Sequence, residues 1–124
     1  MKKKRGYWSL VANDWQSKKS DWLWRVHNDT VNSSLFDEWA PESNSGTLLK
    51  TDMFDESFGI GIRLPSSLDR WNTIGIDIAP EVLKTARFQT DRFQLLASDV
   101  RSLPFSSGSF DLIFSNSTLL NSNP

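Results

Sequence analysis

The apolar positions of the 124-residue chain change rhythm part-way along. Between residues 6 and 40 they recur at helical spacing, with Trp8, Val11 and Trp15 in one segment and Trp22, Leu23 and Val26 in the next. Ser20-Asp21 offers an N-cap between the two. Ser34 followed by Asp37 resembles a capping pair for a third short turn carrying Leu35, Phe36 and Trp39, with Pro41 as its stop. The spacing predicts two or three short amphipathic helices. Glu42 to Gly46 then reads as a polar linker, dividing a Trp-rich helical region, residues 1–45, from a second unit, residues 46–124.

Beyond the linker, short apolar runs alternate with helical stretches. Strands are expected at Thr47–Asp52, Thr73–Ile78, Phe93–Asp99 and Phe110–Ser115. Ile74, Ile76 and Ile78 are β-branched and suit a buried strand. Met53–Ser57 and Val100–Ser109 read as loops, and Phe58–Asp69 as a helix. A second helix is expected from Pro80, whose fixed φ suits a first helical residue, to about Thr90; Val82, Leu83 and Ala86 form its apolar stripe. This alternation predicts an α/β fold with a mainly parallel sheet and right-handed crossovers.

Composition narrows the function classes. A chain with 38% hydrophobic and 23% charged residues is expected to be globular, as one domain or one piece of a larger one. Its net charge of −1 exerts no global pull toward nucleic acid or an anionic membrane. With no cysteine there is no disulfide or zinc-thiolate site, and a single histidine, His27, cannot build a histidine metal cluster; it reads as a surface helix residue. Ser9, Asn13, Asp14 and Gln16 interrupt any apolar core after the basic start Met1–Arg5, which reads as a solvated tail. No run approaches the ~18 apolar residues of a membrane span, so a cytoplasmic location is expected. Five of the six tryptophans lie in the first region, either packing helices onto the body or forming a cage for a cation.

Three expected strands end on aspartate: Asp52, Asp77 and Asp99, separated by 25 and 22 residues. Each alone suits a turn or cap. Together they fall in register along the carboxyl edge of a parallel sheet, where open α/β sheets bind ligands. The loop after the first strand decides the ligand class. A dinucleotide site requires glycines there so that backbone can approach a pyrophosphate. This loop instead reads Asp52-Met53-Phe54-Asp55-Glu56-Ser57-Phe58-Gly59, and its carboxylates would repel phosphate. A cation with an adenosine end, such as S-adenosylmethionine, fits better. Asp55 and Glu56 equally suit the start of the following helix.

Gly75-Ile76-Asp77-Ile78-Ala79-Pro80-Glu81-Val82-Leu83 with Ala86-Arg87, Ala97-Ser98-Asp99-Val100 with Leu103-Pro104-Phe105, and Gly108-Ser109-Phe110-Asp111-Leu112-Ile113-Phe114-Ser115-Asn116 together resemble the class I S-adenosylmethionine-dependent methyltransferases, over roughly residues 47–120. The resemblance implies a Rossmann-like fold in which Asp77 holds the ribose hydroxyls and Ile78 packs on the adenine. It also implies that Asp99 accepts from the adenine amino group, Val100 contacts the ring through its backbone, and Ser115 and Asn116 border the methionine and substrate end. Asp52 joins this set from the first loop, which resembles a glycine-poor variant of the family's D-x-G-x-G-x-G. The expected function is methyl transfer to a small-molecule acceptor, with no catalytic side chain or metal assigned. A non-catalytic binding or regulatory module on the same fold is the alternative, and a nicotinamide-dependent oxidoreductase a third. Complete family domains have seven strands ordered 3-2-1-4-5-7-6, and four are assignable here. The chain is therefore expected to be a piece of a longer protein, inactive alone and able to self-associate through an open fourth strand.

Overall fold

A computed structural model of the protein describes residues 5–11, 22–40, 45–57, 70–89, 91–116 and 118. Residues 5–11 are helical (α1), followed by α2 (Trp22–Trp39), β1 (Gly46–Lys50), α3 (Phe54–Ser57), β2 (Trp71–Asp77), α4 (Pro80–Gln89), β3 (Gln94–Ala97) and β4 (Leu112–Phe114). The strands form one sheet in the order β3-β2-β1-β4, and every pairing is parallel. This is the parallel α/β arrangement that the alternating pattern predicts, and a Rossmann-like one, as the resemblance implies. The expected helix over residues 58–69, the segment around Trp15 and the Ser20-Asp21 cap lie outside the described residues.

Register decides which side chains share a face. Leu48 lies opposite Thr73 and Leu112, while Lys50 lies opposite Gly75 and Phe114. The face carrying these residues packs against α2 and α4, and Leu49 and Ile76 are buried on the other face. Phe36 of α2 is buried on the first face with Leu48 and Trp71, supported by Ala40, Leu112 and Phe114. Beside it, Met53, Ala79, Val82, Leu83 and Ala86 form a second cluster with Trp8, Phe54, Phe93 and Leu95 around it. Fully burying a side chain such as Leu48 or Val82 is worth roughly 1.5–3 kcal/mol, so this layer fixes α4 and the C-terminal end of α2 on the sheet. Ser9 Oγ donates to Glu81 Oε2 at 2.6 Å and joins α1 to α4. On the opposite face Ile113 of β4, an edge strand among the described residues, is 58% exposed.

Local chemistry corrects several expected boundaries. Ser34 does not cap a separate turn: its hydroxyl donates to Thr30 O at 2.9 Å within α2, which runs unbroken to Trp39. The stretch expected as a loop, Met53–Ser57, contains the single turn α3, closed by Ser57 N donating to Met53 O at 3.1 Å. β1, β3 and β4 end earlier than expected, with backbone pairing stopping before the terminal aspartates of β1 and β3, whereas β2 begins two residues earlier than expected, at Trp71, and ends at Asp77. His27 is exposed, as expected, and among the tryptophans Trp71 is buried and Trp39 is 71% exposed. Among the described residues no helix is long and apolar enough to cross a membrane.

Gly75 is where β2 meets the loop after β1. A Cβ there would collide with Met53 Sδ and lie 3.1 Å from Leu95 Cδ2, both in the packed layer. Gly75→Ala should therefore lower unfolding free energy by about 1–3 kcal/mol in urea melts. A change smaller than a few tenths would mean that Met53 yields its position freely.

Candidate functional site

Parallel strands bring the ends of β1, β2, β3 and β4 to one edge, and the predicted aspartates arrive there from three of them. Asp77 closes β2, while Asp52 and Asp99 lie two residues beyond β1 and β3. Ile78 is half-buried at the bend after Asp77, Val100 is half-buried after Asp99, and Ser115 and Asn116 follow β4, exposed and half-buried respectively. The predicted residues thus sit on consecutive loops of the same edge.

Asp77 organises the middle of that edge. Its Oδ2 accepts from Met53 N at 3.1 Å and its Oδ1 from Ala79 N at 2.9 Å. One carboxylate therefore joins the loop after β1 to the first turn of α4. Burial pushes its pKa up, the two backbone donors pull it down, and nearby Asp52 adds to the rise; the net direction is up. Each oxygen has further acceptor capacity, since a carboxylate has about four lone-pair positions.

Lys50 is the residue that sequence reasoning missed. It is fully buried at the end of β1, where its Nζ donates to Asp52 O at 2.6 Å and to Glu56 Oε2 at 3.1 Å. Asp52 Oδ1 lies 3.8 Å from the same nitrogen, and the Phe114 ring centroid 6.0 Å. Burial alone would lower the lysine pKa, but Asp52, Glu56 and Asp55 outweigh it and hold the ammonium charged well above the ordinary lysine range. Glu56 is buried as well, and burial pushes its carboxyl upward, with only part of that rise offset by Lys50. One ammonium serves several carboxylates, and among the described residues Glu56 Oε1 has no hydrogen-bond partner. The signal available in the sequence was a lysine ending an apolar strand, with acids two, five and six residues on.

Toward β4 the edge is lined by hydroxyls. Thr51 Oγ1 lies 2.9 Å from Ser115 Oγ and 3.0 Å from Thr118 Oγ1, and Thr118 Oγ1 donates to Asp52 Oδ2 at 3.0 Å. One proton cannot serve both neighbours of Thr51, so a consistent chain runs Ser115 to Thr51 to Thr118 to Asp52. On the β3 side, Arg101 pairs with Asp99: Nη2 donates to Oδ2 at 2.5 Å and the backbone N to Oδ1 at 2.9 Å. Among the described residues, no group of three or more His, Cys, Asp or Glu side chains is arranged to hold a metal ion.

The edge can thus offer a ligand acceptors from Asp52 and Asp77, apolar contact at Ile78 and Val100, and hydroxyls near Ser115. Lys50 places one ammonium among four carboxyl groups, Asp52, Asp55, Glu56 and Asp77, and lies within ion-pair distance of Asp52 and Glu56. Residues 57–123, just over half of the chain, match the family model described as a methyltransferase domain. No curated protein matches the chain.

The Glu56 carboxyl gives the site a pH signature. Its folded pKa lies above the unfolded value of 4.5, so the folded state holds the proton more tightly, and this contribution to stability fades as pH rises above about 4.5. Glu56→Gln removes it. In urea melts from pH 4.5 upward, wild type should lose stability relative to Glu56→Gln as pH rises. A gap that stays constant or grows in wild type's favour would contradict the assignment.

Proposed function

The chain belongs to the methyltransferase-domain family, and from that premise we propose that it binds S-adenosylmethionine at this edge and transfers its methyl group to a small-molecule acceptor. The observation that carries the reading is the convergence of Asp52, Asp77 and Asp99 on adjoining loops, where carboxyl groups outnumber the two cations paired with them, Lys50 and Arg101. A pyrophosphate would add two charges of the same sign to that field, which disfavours a nicotinamide dinucleotide. A sulfonium and an ammonium are favoured by it.

In this reading Asp77 accepts from the ribose hydroxyls through the lone pairs left by Met53 N and Ala79 N. Ile78 packs on the adenine, Val100 meets the ring through its backbone, and Asp99 accepts from the amino group. Asp52, Ser115 and Asn116 border the methionine end, where the acceptor enters. When bound, S-adenosylmethionine supplies a methyl carbon already activated by the sulfonium. What the protein contributes is position: Asp77 ties both flanking loops to one carboxylate, and a fixed in-line approach lowers the entropic part of the barrier. The near-neutral chain, with a formal net charge of −1, supports a small acceptor over a nucleic acid.

Calorimetric titration tests the reading. S-adenosylmethionine and S-adenosylhomocysteine should both give saturable heats, and NAD none. Asp77→Asn, which keeps an acceptor for a backbone amide but loses the charge, should weaken S-adenosylhomocysteine binding by about 1.5–3 kcal/mol. Binding of NAD alone, or unchanged affinity in Asp77→Asn, would overturn it.

A further inference from the structure

In the proposed function Asp99 is the acid that accepts from the adenine amino group, and a role for Arg101 at that contact rests on the same reading. The Asp99 carboxylate is 6% exposed, whereas the Arg101 side chain beside it is 34% exposed. The guanidinium therefore forms a layer between the carboxylate and solvent. The contact is dense. Arg101 Nε donates to Oδ1 at 2.9 Å and Oδ2 at 3.1 Å, Nη2 donates to Oδ2 at 2.5 Å, and Arg101 N donates to Oδ1 at 2.9 Å. The loop itself imposes this pairing: Ser102 N donates to Asp99 O at 2.9 Å, and the tight turn folds the arginine back over the residue two before it.

A carboxylate has about four lone-pair positions, and the guanidinium fork with the Arg101 amide takes up most of them. An exocyclic amino group is also a donor, so it must displace part of the guanidinium fork to reach Asp99. A 6-oxo purine presents an acceptor in place of that donor and carries a proton on N1 where a 6-amino purine has an acceptor. Its O6 repels the bare carboxylate but suits the guanidinium. Arginine cannot lose its proton in this setting and remains a pure donor. The geometry points to Arg101 as a specificity-determining latch: it caps Asp99, yields to a 6-amino purine at a cost in affinity, and softens the site's discrimination against a 6-oxo purine.

The latch is partly exposed, so its release costs what a surface charge pair is worth and no more. A second tie to the same carboxylate comes from the backbone, where Arg101 N donates to Asp99 Oδ1 independently of the side chain.

The test is titration of the full chain with S-adenosylhomocysteine and with S-inosylhomocysteine, comparing wild type with Arg101→Ala and Arg101→Gln. Circular dichroism melts select whichever variant retains the wild-type fold, and either one decides the matter. The variant should bind S-adenosylhomocysteine about two- to fivefold more tightly and S-inosylhomocysteine more weakly, so that the ratio of the two affinities widens. Raised salt should close the gap for the adenosyl ligand by weakening the wild-type pair. Wild-type binding of S-adenosylhomocysteine with no tightening in the variant would overturn the latch and leave the proposed function standing. No binding by wild type would overturn both.

Discussion

The buried ammonium of Lys50 is the constraint on which the carboxyl edge of the sheet depends. A lysine with no exposed surface at the end of a central strand must find acceptors, since an unpaired buried charge costs several kcal/mol. It finds them in the chain just beyond it, at Asp52 O and Glu56 Oε2. The loop after β1 is thereby drawn over the strand end and closed by the single turn α3. Where the family's usual loop relies on glycines, this one is shaped by a charge.

That clasp sets the rest of the edge. The loop's path seats Met53 over Gly75, in the one place on β2 where no side chain stands in its way. The same path presents Met53 N to Asp77, and Asp77 in turn holds Ala79 N at the start of α4. Ala79, Val82, Leu83 and Ala86 then complete the apolar layer that Met53 begins. Polar and apolar contacts are interlocked: a loss at Lys50 would reach α4 through Met53 and Asp77.

Much of this was legible in the chain. The Ile74, Ile76 and Ile78 alternation, Pro80 at the head of α4 and the even spacing of Asp52, Asp77 and Asp99 pointed to the sheet and its edge, because these features act locally or along one strand. Residues whose partners are set by folding were harder. Lys50 reads as an ordinary strand charge until acids further along the chain close over it, and Arg101 reads as a solvated loop residue until the turn brings it onto Asp99. Ser34 misled for the opposite reason, since its hydroxyl satisfies itself on Thr30 O within a continuous helix and marks no boundary.

The central claim, that a charge-shaped edge of this sheet receives the adenosine and methionine ends of S-adenosylmethionine, is tested most directly by amide NMR shifts on adding S-adenosylhomocysteine. The account predicts that the largest shifts fall on Met53, Ile78, Ala79, Val100, Arg101 and Asn116, on four loops of one edge. Shifts confined to the helices α1 and α2, or no shifts at saturating ligand, would contradict it.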